Sequence, residues 1–72
     1  MNNEVKKFLE ENNIPFQYIN NKLRLYFQDI GTKEIEIDIK RKNYGIGITT
    51  TDKITIKEHK ILSEIFILLG WL

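Results

Sequence analysis

Glu34, Glu36 and Asp38 alternate along one stretch of the chain, and Lys40 completes the series. In a β-strand, alternate residues stand about 6.6–6.8 Å apart on one face, so three carboxylates and an ammonium line a single side. Such a row supports three kinds of chemistry. The carboxylates can hold a divalent metal beside a lysine that assists an attacking water. Their repeat also approximates the spacing of phosphates along a nucleic-acid strand, which would suit a surface that occupies another protein's nucleic-acid channel. The plainest reading is a solvated sheet face neutralised by Lys22 and Arg24 on a neighbouring strand.

Three further groups carry potential chemistry. Lys40, Arg41 and Lys42 sit together at a turn beside Tyr44, and cations next to an aromatic ring can meet phosphates and stack on a base. The adjoining Gly45-Ile46-Gly47 lacks the strand-to-helix context of a phosphate-cradling loop. His59 is the only histidine, with Ser63 four residues on. No set of oxyanion donors accompanies the pair, so it reads as an exposed helical histidine. Trp71, after Gly70, either closes the core or anchors a partner, since tryptophan is enriched at binding hot spots. Asp29 followed by Glu36-x-Asp38-x-Lys40 resembles the Asp…(Asp/Glu)-x-Lys motif of restriction-type nucleases. That resemblance implies a metal-dependent nuclease fragment, a remote alternative because so short a motif arises readily in a charged strand.

The elements that must position these groups follow from periodicity. Val5, Phe8 and Leu9 form an i, i+3, i+4 stripe that predicts a helix over 4–13, capped by Asn2 or Asn3 and stopped by Asn12-Asn13 before Pro15. From Pro15 the period becomes two. Phe16 and Tyr18 alternate with Gln17 and Ile19, Asn20-Asn21 makes a hairpin turn, and Leu23, Leu25 and Phe27 return on one face opposite Arg24 and Tyr26. Ile35, Ile37 and Ile39 alternate with the acidic series over 34–40. A connection over 41–45 leads to a further strand containing Ile46, Ile48 and Thr50. Ile54–Ile56 reads either as a fifth strand or as the entry to a helix capped by a Thr55–Glu58 box. A final helix follows, with Ile61, Leu62, Ile65, Phe66, Leu68 and Leu69 apolar. The expected fold is a single α+β domain over 1–72, ordered helix, antiparallel meander of four or five strands, helix. Both helices pack on one face of the sheet, because the isoleucine face needs cover and nothing else can provide it.

Composition narrows the function. The 72 residues hold 11 basic and 10 acidic groups, a formal charge of +1, which excludes both a strongly cationic nucleic-acid binder and a whole-molecule acidic mimic. The absence of cysteine excludes a disulfide framework, a thiolate metal site and a thiol nucleophile. Isoleucine (13), lysine (9) and asparagine (7) abound while alanine is missing, which points to A/T-rich coding and a low-GC bacterium or its phage. The N-terminal stretch has no apolar signal region. The apolar stretch over 61–72 falls short of the ~20 residues that span a bilayer. The expected compartment is the cytoplasm, without membrane, metal or cofactor.

The expected function is a small non-catalytic binding protein acting through protein–protein contact. It would be a phage or mobile-element inhibitor that occludes a larger host enzyme, a nuclease or nucleoprotein complex, in the manner of anti-CRISPR or other anti-defence proteins. Its docking residues would be Glu34, Glu36, Asp38, Arg24, Tyr26 and Trp71. A homodimer is a further arrangement of the same surfaces. The alternative is a small nucleic-acid-binding regulator using Lys40, Arg41, Lys42 and Tyr44.

Overall fold

In a computed structural model describing residues 1–72, the chain forms α1 (Asn3–Glu11), β1 (Phe16–Ile19), β2 (Lys22–Phe27), β3 (Lys33–Asp38), β4 (Asn43–Thr49) and α2 (Ile56–Leu68). The strands make one antiparallel sheet in the order β1-β2-β3-β4. Val5 and Leu9 of α1 join Leu62 and Ile65 of α2, and the Leu23, Leu25, Phe27, Ile35 and Ile37 face of the sheet, in one buried cluster. Both helices therefore cover the same face. Asn2 Nδ2 donates to the Leu68 carbonyl (3.1 Å), which ties the start of α1 to the end of α2.

The caps explain where each helix stops. Asn2 accepts from the amides of Glu4 (2.7 Å) and Val5 (3.4 Å). α1 ends two residues before the expected boundary because Asn13 takes a left-handed φ of 55°. The Ile14 amide then reaches back to the Leu9 carbonyl (3.0 Å) and that of Asn13 to Glu10 (3.2 Å), a Schellman closure that buries Ile14 with Leu9. The same device ends α2. Gly70 (φ 79°) turns the chain, Trp71 N–H donates to the Phe66 carbonyl (2.9 Å), and the Trp71 and Phe66 rings stack 5.6 Å apart.

The β1–β2 turn is the expected two-residue one, with Asn20 (φ 54°) and Asn21 (φ 62°) both left-handed as a type I′ hairpin requires. Two expectations are corrected, and one alternative left open by the sequence is resolved. β3 ends at Asp38 rather than running to Lys40, because an Asp38 carboxylate oxygen accepts from the Arg41 amide (3.0 Å) and starts a turn that Lys42 (φ 56°) completes. β4 starts at Asn43 and takes in Tyr44 and Gly45, which were expected in a loop. No fifth strand forms at Ile54–Ile56: Thr55 caps α2, with its hydroxyl accepting from the Glu58 amide (3.1 Å) and Glu58 Oε1 from the Thr55 amide (2.9 Å).

The pairing of β3 with β4 shifts between Lys33↔Thr49 and Ile35↔Ile46. Gly47 and Ile48 thus stand opposite Glu34 alone, a β-bulge. It parts two isoleucines that simple alternation would place together. Ile46 stays on the helix-side face opposite Ile35, whereas Ile48 is 80% exposed.

Candidate functional site

The uncovered face of the sheet carries three cross-strand rows. Ile19, Lys22, Asp38 and Asn43 form one, and Gln17, Arg24, Glu36 and Gly45 the next. Tyr26 and Glu34 form the third, which ends at the bulge. Five of the six residues expected to dock a protein stand on this face: Arg24, Tyr26, Glu34, Glu36 and Asp38.

The register interleaves the acidic series with cations. Arg24 Nε donates to Glu36 Oε1 (3.2 Å), Arg41 lies 3.5 Å from Asp38, and Lys22 stands opposite Asp38 in the ladder. Glu34 makes no ion pair; it faces Tyr26 across the strands and lies over Gly47, where a Cβ would come within 2.6 Å of its Oε2. The face is accordingly a patchwork of alternating charge, and the unbroken anionic strip suggested by β3 alone is absent from it. Tyr26, Gln28, Glu34 and Ile48 border a shallow depression at its far corner.

Trp71 lies elsewhere. It is half-buried beside the core at the end of α2, stacked on Phe66, so the tertiary fold separates it from the other five.

The basic residues gather at the hairpin tips. Lys40 and Arg41 share a shallow polar depression with Lys22, Asn20, Asn21 and Asp38, while Lys42 projects from the same turn. Tyr44 does not accompany them. It pairs with Ile37 on the helix-side face, its ring 4.9 Å from that of Phe66 and about half exposed.

For metal chemistry the carboxylates would have to converge, and no three of the Asp, Glu and His side chains do. Asp29 belongs to the β2–β3 turn and Asp38 to the opposite end of β3, about 17 Å away at strand spacing. His59 is exposed near the start of α2 and makes no hydrogen bond to Ser63.

One charged pair escaped the sequence reading. Lys33 and Glu58 are both buried, and Lys33 Nζ lies 3.1 Å from Glu58 Oε1 and donates to the Ile30 carbonyl (3.3 Å). Glu58 Oε2 finds no hydrogen-bond partner within the chain. The signal was present: Lys33 continues the inward series of Ile35 and Ile37 by one step, and Glu58 was already marked by its capping box. What the sequence lacked was the fact that these two positions meet. Glu58 also lines the cleft between the end of α1, the end of β2 and the start of α2, together with Asn12, Asn13, Gln28 and Lys57.

No family model matches this chain, and no curated protein or solved structure is significantly similar to it.

Proposed function

We propose that the chain is a non-catalytic binding protein that acts through protein–protein contact, docking the open face of its sheet on a larger partner and occluding that partner's own site. The observation that carries this reading is the face itself: a four-stranded sheet with helices on one side only. A sheet backbone holds side chains in fixed register, so Arg24, Tyr26, Glu34 and Glu36 need little ordering on association. Arginine and tyrosine are hot-spot residue types, and the ion-paired charges around them supply a polar rim.

The interleaved charges alter the expected mode of docking. Complementarity to a mixed surface replaces mimicry of a nucleic-acid strand, and Glu34 is the carboxylate free to receive a partner's cation. The A/T-rich coding signature keeps a phage or mobile-element inhibitor of a host nuclease or nucleoprotein complex as the class of protein proposed.

The test is affinity capture from host lysate after nuclease treatment, comparing the wild type with an Arg24→Glu/Tyr26→Ala/Glu34→Lys variant. These positions avoid Asp38, whose carboxylate closes a turn. A protein retained by the wild type and lost by the folded variant supports the proposal. Equal recovery by both, or recovery that disappears with nuclease, overturns it.

The meeting of Lys22 with Lys40 and Arg41 favours a second reading, contact with nucleic acid at the hairpin tips. It requires binding that weakens steeply as salt rises, since each phosphate contact releases counterions.

A further inference from the structure

We propose that the free edge of β4 pairs antiparallel with β4 of a second copy, centred on Gly45, so that two sheets become one of eight strands. This rests on the β4 edge and is independent of the open-face proposal.

An edge strand in a monomer exposes unpaired amide and carbonyl groups, and native folds blunt such edges with charge, proline or brevity. β1 is blunted: it has four residues and follows Pro15. β4 has seven residues, all exposed, and from Asn43 to Thr49 not one is charged or proline. The fold leaves ten large hydrophobics exposed, as many as it buries in its core, and Tyr44, Ile46 and Ile48 of that ten lie on this strand.

Gly45 supplies the second, independent observation. Its φ is ordinary, and a Cβ added there would meet nothing within 4 Å. Gly47, in contrast, is accounted for by the bulge and by Glu34 above it. Nothing inside the monomer calls for glycine at 45, although glycine weakens a strand interior. Glycine in a strand often marks the close approach of another backbone.

The register follows from the same residues. The bulge confines the regular ladder to Asn43–Ile46, apart from the outlying Thr49 pair. Antiparallel pairing in a continuous sheet matches residues that point to the same face, which allows a dyad at Tyr44, Gly45 or Ile46. Gly45, with no side chain to hold the backbones apart, is the one placed against its copy. Tyr44 then stands opposite the second copy's Ile46 on the helix side, twice over, an aromatic–β-branched pair of the kind that favours sheet association. The strands are neutral, so no like charges oppose one another. A second copy is therefore a self-complementary occupant of this edge. Pairing over so few residues covers less than the ~800 Å² per partner of a standard interface, so a micromolar dimer is expected.

The decisive substitutions are Gly45→Lys and Gly45→Asp, which enter open space in the monomer and set like charges against each other at the dyad. Analytical ultracentrifugation across micromolar to millimolar concentration should show the wild type doubling in mass. Each variant alone should stay monomeric with unchanged circular dichroism, and an equimolar mixture of the two should recover the dimer. Isotope-filtered cross-strand contacts from Tyr44 to Ile46 of the other copy report the register directly. A wild type that stays monomeric throughout overturns the proposal, as does a dimer indifferent to both substitutions. A monomer whose β4 amides become protected only on adding a different protein also overturns it, and hands the edge to that partner.

Discussion

Lys33 and Glu58 show how much a single pair can decide. Both side chains lie out of water, and their attraction must offset the cost of desolvating two charges. Removing one partner leaves the other charged and buried. Lys33→Ala or Glu58→Ala is therefore expected to cost about 3–5 kcal/mol in urea unfolding followed by circular dichroism. Replacing both, as Lys33→Met with Glu58→Gln, removes the isolated charge and keeps a capping side chain at 58; this variant should fall within about 1 kcal/mol of the wild type or exceed it. A double variant as unstable as the single ones would contradict this account of the pair. The exposed Arg24–Glu36 bridge has a different energetic weight: with both side chains more than a third accessible, breaking it should change stability by no more than about 1 kcal/mol. That makes it suited to testing binding without disturbing the fold.

At the scale of elements, two glycines make opposite predictions. Gly70 (φ 79°) closes α2 and swings Trp71 back onto Phe66. Gly70→Ala should cost about 1 kcal/mol and lower the melting temperature by roughly 4–8 °C for a domain of this size. Trp71 is the only tryptophan, so its emission should shift to the red as the ring leaves Phe66. Gly45→Ala, in a strand with ordinary φ and an empty Cβ direction, should leave the melting temperature unchanged or raised. Most of the element order was legible: the Val5–Leu9 stripe, the Asn20-Asn21 turn, the inward isoleucines of β3 and the Thr55–Glu58 box all read directly from spacing. The ends of β3 and the course of β4 were not. Alternation continues through Ile39 and Lys40 whether or not the backbone turns, and the turn depends on a carboxylate–amide bond from Asp38 to Arg41. Nothing in Gly45-Ile46-Gly47-Ile48 announces a bulge.

For the whole molecule, the arrangement of surfaces is the main consequence of the fold. The mixed-charge face, the cationic hairpin tips and the β4 edge adjoin one another, Lys22 being shared by the face and the tips and Gly45 by the face and the edge. Each is therefore tested through the residues that belong to it alone or lie at its margin. Under the open-face proposal, capture of the partner should survive nuclease treatment. It should also be indifferent to Lys22→Glu/Lys40→Glu, which alters the tips and spares the central row. If the tips bind nucleic acid instead, those two changes should abolish low-salt binding in a fluorescence-anisotropy titration. The wild type's salt dependence would then have a slope no steeper than about four phosphate contacts allow. A titration flat at low salt removes that reading.

By itself the sequence determined the α+β class, the inward and outward sides of β2 and β3, and most of the caps, because these depend on residues within a turn or two of each other. Only the tertiary structure decided what the charges mean. The register of β2 against β3 sets Arg24 beside Glu36, turning an acidic row on one strand into alternating charge across the face. The docking of α2 over the start of β3 gives Lys33 its partner. The closure after Gly70 carries Trp71 away from the sheet face where the other proposed docking residues stand. In each case the deciding contact joins residues distant in the chain, and a pattern of period two or 3.6 holds no information about which distant element will arrive.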